Sequence, residues 1–174
     1  MFDIIILCTV VSHILARPVP DSHDIASSLV KKPDDVATDQ EIEDFVAMLK
    51  IMRDTSVAKE KRVEDIVAIL KRNDENLPRK SVEDLLDLAD DEWKSVHNAS
   101  PKVKDAYNKT YNLLVDPKFY KMDLTKQKAE VEKIFNALSD SEKKEMEEIV
   151  KKTMKKAKEL GYEDLPEPLG TQRK

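Results

Sequence analysis

The sequence is poor in cysteine, glycine and aromatic residues. Its single cysteine, Cys8, lies in an apolar N-terminal segment, so residues 9–174 contain no thiol. This excludes disulfides, thiol nucleophiles and thiolate metal sites from that part of the chain. The chain has two glycines and 5% aromatic residues, against 37% charged residues. Such a composition favours helices, because strand-rich domains need turn glycines and β-branched or aromatic runs.

Residue types suited to catalysis are also scarce. Both glycines, Gly161 and Gly170, lie near the C-terminus, so the chain has no glycine-rich nucleophile turn and no phosphate-cradling loop. Beyond residue 16 the only histidines are His23 and His97. The formal net charge of −5 is mildly acidic and does not favour nucleic acid as a partner. We therefore expect a binding or interaction protein and not an enzyme.

The first sixteen residues have the pattern of a secretory signal peptide. An apolar run from Ile4 to Val11 is followed by a short segment that ends at Ala16, which offers a cleavage point ahead of Arg17. The run is too short to span a bilayer, and no later segment is apolar enough to do so. The alternative is a buried N-terminal helix. We expect a secreted, extracellular protein with no membrane span.

The remainder of the chain divides into a leader, a helical domain and a tail. Residues 17–37 are expected to be a flexible leader, and residues 162–174 a disordered tail rich in proline. Across residues 38–161 the apolar residues recur with the 3.6-residue period of amphipathic helices. A chain of this length buries enough surface for one core without disulfides. The sequence thus predicts an all-α fold, a compact bundle of about six short amphipathic helices.

Capping residues predict where these helices begin and end. We expect Ser81 to cap the third helix, Pro101 to open the fourth, and Asp116 with Pro117 to end it. Ser139, with Glu142 three residues later, should cap the last helix, and Gly161 should stop it.

One helical face carries three carboxylates that are candidates for a metal site. Glu83, Asp87 and Asp90 follow the spacing i, i+4, i+7 on the third helix, so they share one face. Carboxylate oxygens suit Ca²⁺ or Mg²⁺, and a divalent ion would relieve their mutual repulsion. The alternative is an ordinary solvated acidic face.

A bundle of short helices can also leave an apolar gap that holds a lipid. Methionine side chains adapt to such ligands. The candidate lining residues for an apolar ligand are Met48, Met52, Phe135, Met146 and Met154. The same side chains would serve equally as a plain packed core. The expected partner is therefore a small ion or a lipid.

Two sequences fit the acceptor pattern for N-linked glycans. They begin at Asn98 and Asn108. Asn108 is expected on the polar side of the fourth helix, where a glycan has room, and Pro101 after the first sequon tends to suppress its modification.

Phe45 to Lys50 is followed by Asp54-Thr55 and by the helix after Lys59. This arrangement is similar to the opening helix, loop and second helix of the nematode SXP/RAL antigen family. The segment from Asp123 to Leu138 and the start of the last helix are similar to its closing part. The resemblance covers about residues 45–150. It implies a secreted helical module that binds divalent cations.

A second family resemblance leads to a different ligand. The pattern Ser100-Pro101 through Lys109 and Leu113 is similar to one in nematode fatty-acid- and retinol-binding proteins, which are also secreted and helical. This resemblance implies a carrier of fatty acids or retinoids in a cavity between helices. A third hypothesis is an extracellular interaction protein with neither ligand.

Overall fold

The computed structural model describes residues 38–73 and 77–162, and within them the chain is all-α. The predicted signal peptide, the leader and residues 163–174 of the predicted tail lie outside the described residues. The predicted fold class is confirmed. There are seven described helices: α1 (Asp39–Arg53), α2 (Lys59–Arg72), α3 (Arg79–His97), α4 (Pro101–Leu114), α5 (Pro117–Tyr120), α6 (Leu124–Asn136) and α7 (Asp140–Glu159).

Capping boxes start the first and the last of these helices. The predicted cap of α7 is confirmed: the Ser139 hydroxyl accepts from the backbone N–H of Glu142, whose carboxylate accepts from the N–H of Ser139 at 2.7 Å. Thr38 and Glu41 make the same reciprocal pair at α1. Each box satisfies backbone donors that a helix N-terminus leaves unpaired.

The helices differ from the prediction in two places. Ser81 does not cap α3, which begins at Arg79 because the carbonyl of Pro78 already accepts from the N–H groups of Ser81 and Val82. The fourth helix ends just before Asp116 and Pro117, as predicted, but the chain then forms the one-turn helix α5, which was not predicted. There the side chain of Asp116 accepts from the N–H of Lys118 at 3.0 Å. In both places a local hydrogen bond that periodicity does not reveal decides the structure.

The C-terminus of α7 is closed by a left-handed glycine and a buried tyrosine. Gly161 has φ 89°, as the predicted stop requires, and its N–H donates to the Lys158 carbonyl. The N–H of Tyr162 donates to the Ala157 carbonyl, which completes a Schellman motif. Tyr162 is buried against the core. Tyr162, which was predicted to belong to the tail, is therefore part of the packed bundle.

The core consists of two apolar clusters joined by α3 and α7. The first lies among α1, α2, the N-terminal part of α3 and the C-terminal part of α7. The second lies among α4, the end of α3, the start of α7 and Leu138. Because α3 and α7 are the longest helices, they pass through both clusters. Where α1, α3 and α4 meet between the clusters, a cavity remains.

Candidate binding site

A mostly apolar cavity of about 80 Å³ lies between α1, α3 and α4. Leu49 and Met52 line it from α1, Ala89 and Val96 from α3, and Leu114 from α4. On each helix these residues belong to the apolar stripe, whose i, i+3, i+4 spacing turns them toward the bundle interior. The cavity exists because short helices that cross cannot fill the junction between two separate core clusters.

The inner wall of the cavity carries polar groups. Glu92 from α3 and Tyr107 and Thr110 from α4 line it, and Glu92 and Thr110 are 7% and 1% exposed. The Thr110 hydroxyl has no hydrogen-bond partner among the described residues. A buried polar atom without a partner is rare in native proteins, because it has given up its hydrogen bonds to water. Ligand binding is one way to satisfy it.

The carboxyl group of Glu92 is the most perturbed acid of the described residues. Burial raises its pKa to about 7, although a hydrogen bond with the Tyr107 hydroxyl partly opposes this by stabilising the charged form. Thr153 donates its own proton to the Ile149 carbonyl at 3.2 Å. A protonated Glu92 can therefore donate to the Thr153 oxygen. No described basic residue forms an ion pair with Glu92.

Sequence reasoning missed Glu92 as an inward-facing residue. The spacing held the signal: Glu92 lies seven residues after Leu85 and four before Val96, so it occupies the buried stripe of α3. An ionisable residue at an apolar position of an amphipathic helix indicates either a buried pair or a functional site.

A cation stacked between two aromatic rings lies at the mouth of the cavity. The guanidinium carbon of Arg53 is 4.0 Å from the ring centroid of Trp93 and 3.8 Å from that of Tyr111. One of its N–H groups donates to the Oδ1 of Asn108 at 2.5 Å. Arg53 is half-buried, and this burial lowers its pKa, but the guanidinium remains protonated. Arg53 thereby connects α1 with α3 and α4 beside the cavity.

The three predicted metal ligands each contact a different basic residue. Glu83 pairs with Arg79 at 3.1 Å, Asp87 with Lys59 at 2.6 Å, and Asp90 with Arg62 through two hydrogen bonds of 2.9 and 2.7 Å. Within residues 38–73 and 77–162, no cluster of three metal-ligating side chains is arranged to hold an ion. A divalent cation on this face would have to displace these basic groups, and its binding stays a prediction.

The five residues predicted to contact an apolar ligand lie in different places. Of these, Met52 lines the cavity. Met48 and Met154 are buried in the first core cluster, Met146 is buried in the second, and Phe135 packs against that second cluster. Periodicity identified these side chains as interior without showing which of them border the gap.

Both sequon asparagines are exposed. Asn98 is the C-terminal cap of α3, and Asn108 lies on α4 beside Arg53. The predicted position of Asn108 on the polar side of the helix is confirmed, and its glycosylation stays a prediction. As for membranes, none of the seven described helices combines the length and the apolar character that a transmembrane span needs.

In comparisons with known proteins, no family model, no curated protein and no solved structure matches this chain. The two family resemblances therefore stay predictions.

Proposed function

We propose that this protein is a helical binding protein that holds a small, mostly apolar molecule in the cavity between α1, α3 and α4. The cavity itself carries the proposal: its walls are apolar, yet its inner end holds the buried side chains of Glu92 and Thr110. Concave apolar sites with a few convergent polar groups are typical of ligand binding. We propose binding, because these features describe a site that can hold a ligand and do not by themselves indicate a reaction.

The size of the cavity limits the ligand. An engineered protein cavity of about 150 Å³ holds benzene, so a cavity of about 80 Å³ encloses a smaller group, such as a short alkyl chain. Pockets that enclose whole drug-sized molecules measure about 300–1,000 Å³. A retinoid or a long acyl chain would be enclosed at one end only, with the rest leaving past Arg53. The size therefore favours a small ligand over the lipids that the family resemblance implies.

Trp93 makes this proposal directly testable. It is the single tryptophan of the chain and it lines the cavity, so selective tryptophan excitation reports on the site. Three small aryl compounds (phenethylammonium, phenethyl alcohol and phenylacetate) can place their short polar arm in the cavity and their ring at the mouth, beside Trp93. We expect at least one of them to change the Trp93 emission saturably and to raise the unfolding temperature.

A variant that fills the cavity provides the control. Ala89→Leu adds side-chain volume at the cavity wall and should abolish the response, whereas Ala68→Leu, at an exposed position of α2, should retain it. The proposed function is refuted if none of the three compounds produces a saturable change in the wild-type protein.

Secretion belongs to the same proposal and rests on the sequence of residues 1–16. Expression in a secreting host should yield a product whose N-terminus is Arg17, as intact-mass measurement would show. Retention of the full-length chain inside the cell would contradict it.

A further inference from the structure

The inner wall of the cavity presents oxygen atoms to a ligand. Its buried polar groups are the carboxyl of Glu92 and the hydroxyls of Tyr107 and Thr110. The lining side chains that carry N–H donors, Arg53 and Trp93, are both half-buried and lie against each other nearer the surface. The two ends of the cavity therefore differ in the chemistry that they recognise.

The inner end suits a group that donates hydrogen bonds and carries positive charge. An ammonium group has three N–H donors and no acceptor, so it complements a carboxylate and two hydroxyl oxygens. A ligand carboxylate there would face the carboxyl of Glu92, and two carboxylates that share one site repel each other. The Thr110 oxygen, which has no partner among the described residues, would gain one from an ammonium.

The mouth suits the apolar part of such a ligand. The guanidinium of Arg53 is planar. Its central carbon is 4.0 Å from the ring centroid of Trp93 and 3.8 Å from that of Tyr111. The Arg53 guanidinium thus contacts the faces of both rings. An aromatic ring that displaces Arg53 would contact the same two rings.

We infer that the ligand is a small primary amine with an aromatic or short alkyl body, bound with its ammonium group between Glu92 and Thr110 and its body toward Trp93. This inference rests on the proposed function and names the chemical class of its ligand.

Binding of such an amine should depend on pH. The pKa of Glu92 is about 7 because the group is buried, so near neutrality part of the protein carries an uncharged Glu92. An ammonium favours the carboxylate, so below this pH binding must release a proton and affinity falls. The groups that face Glu92 are Tyr107 from α4 and Thr153 from α7. The cavity's other charged groups are Arg53, at the mouth, and Asp90, which is paired with Arg62.

The test compares the three aryl compounds named above by titration of Trp93 fluorescence. Phenethylammonium, phenethyl alcohol and phenylacetate have the same ring and nearly the same length, and they differ in the charge of the end group. We expect the amine to bind roughly tenfold or more tighter than either of the others at about pH 8. Its affinity should fall by roughly tenfold or more between about pH 8 and about pH 5.5.

Two variants examine the inner wall, each with a matched control. Glu92→Gln keeps the size of the side chain and removes the carboxylate, and Thr110→Val removes only the hydroxyl; both should lower amine affinity, roughly tenfold for the hydroxyl. Glu83→Gln removes a carboxylate from α3 outside the cavity, and Thr125→Val removes an exposed hydroxyl on α6, away from the cavity. Neither control should change amine affinity by more than about twofold. Circular dichroism establishes that each variant is folded.

The outcomes separate this inference from the function on which it rests. Equal or tighter binding of the alcohol or of phenylacetate overturns the amine assignment and leaves the binding function standing. Amine binding that Glu92→Gln and Thr110→Val both leave unchanged also overturns the assignment, because the ammonium is then elsewhere. A failure of all three compounds removes both proposals together.

Discussion

The guanidinium of Arg53, the last residue of α1, is stacked on the ring of Trp93 from α3, with 4.0 Å between its central carbon and the ring centroid. The same carbon lies 3.8 Å from the ring centroid of Tyr111 from α4. One side chain thus connects three helices that otherwise meet around a cavity. The contact contributes to stability and also covers the proposed ligand site, so it couples the two.

Replacement of Arg53 should reveal both roles. Arg53→Met keeps an apolar stem and removes the cation, so we expect a loss of about 1–2 kcal/mol in the free energy of unfolding. Trp93 emission should shift at the same time. Urea denaturation followed by fluorescence and by circular dichroism measures both. Arg79→Met is the control, because Arg79 pairs with Glu83 on the surface and should change stability by less than about 0.5 kcal/mol. Equal losses for the two variants would mean that the stacking contributes nothing.

The buried acid Glu92 should make stability depend on pH. Its pKa rises from 4.5 to about 7 on folding, so the folded state holds the proton more tightly than the unfolded state. Its stabilising contribution is fully present below about pH 4.5 and is lost as the pH rises through about 7. The shift corresponds to about 3 kcal/mol.

The Glu92→Gln variant has no ionisable group at this position, so it should not lose this stability as the pH rises. Relative to the wild type, its free energy of unfolding should increase by up to about 3 kcal/mol between about pH 4.5 and about pH 7.5. Urea denaturation at several pH values measures the difference. Glu83→Gln, which removes a partly exposed carboxylate, is the comparison and should run parallel to the wild type. A parallel curve for Glu92→Gln as well would show that Glu92 ionises normally in the folded protein.

A further prediction concerns divalent cation binding on the acidic face of α3. If Glu83, Asp87 and Asp90 hold Ca²⁺ or Mg²⁺, millimolar ion should raise the unfolding temperature, and a chelator should reverse the increase. The stabilisation must exceed the cost of displacing Lys59, Arg62 and Arg79 from these carboxylates. Asp87→Asn should remove the effect, and Asp105→Asn, on the exposed surface of α4, should retain it. The absence of any shift in the wild type rules out the site at that ion concentration.

Substitutions at Gly161 test the Schellman motif at the end of α7. Its φ of 89° is strained for any residue with a Cβ, but no heavy atom would meet a Cβ there within 4 Å. Gly161→Ala should therefore cost about 1 kcal/mol through backbone conformation alone. Gly161→Asn should cost less, since asparagine tolerates the left-handed region better. Thermal denaturation of the two variants gives the comparison. If alanine is no more costly than asparagine, the Schellman motif is not maintained in solution.

Much of the helical framework could be predicted from the sequence, because its causes are local. The apolar period, the capping box at Ser139 and the left-handed stop at Gly161 depend on residues within a few positions of one another. The predicted start of α3 was wrong, and the one-turn α5 was not predicted. Both depend on local hydrogen bonds accepted by the Pro78 carbonyl and the Asp116 side chain, which the apolar period does not reveal.

The candidate site was decided by tertiary packing. Arg53, Glu92 and Thr110 are far apart in the chain and carry no motif, and they meet only because α1, α3 and α4 cross between two core clusters. Tertiary packing also pairs Asp90 with Arg62 from α2. It places Met146 in a packed core, whereas Met52 lines the cavity. Periodicity specifies which face of a helix is buried. What that face meets depends on how neighbouring helices cross, and this is settled by the volumes of side chains from distant segments that must fill one shared space.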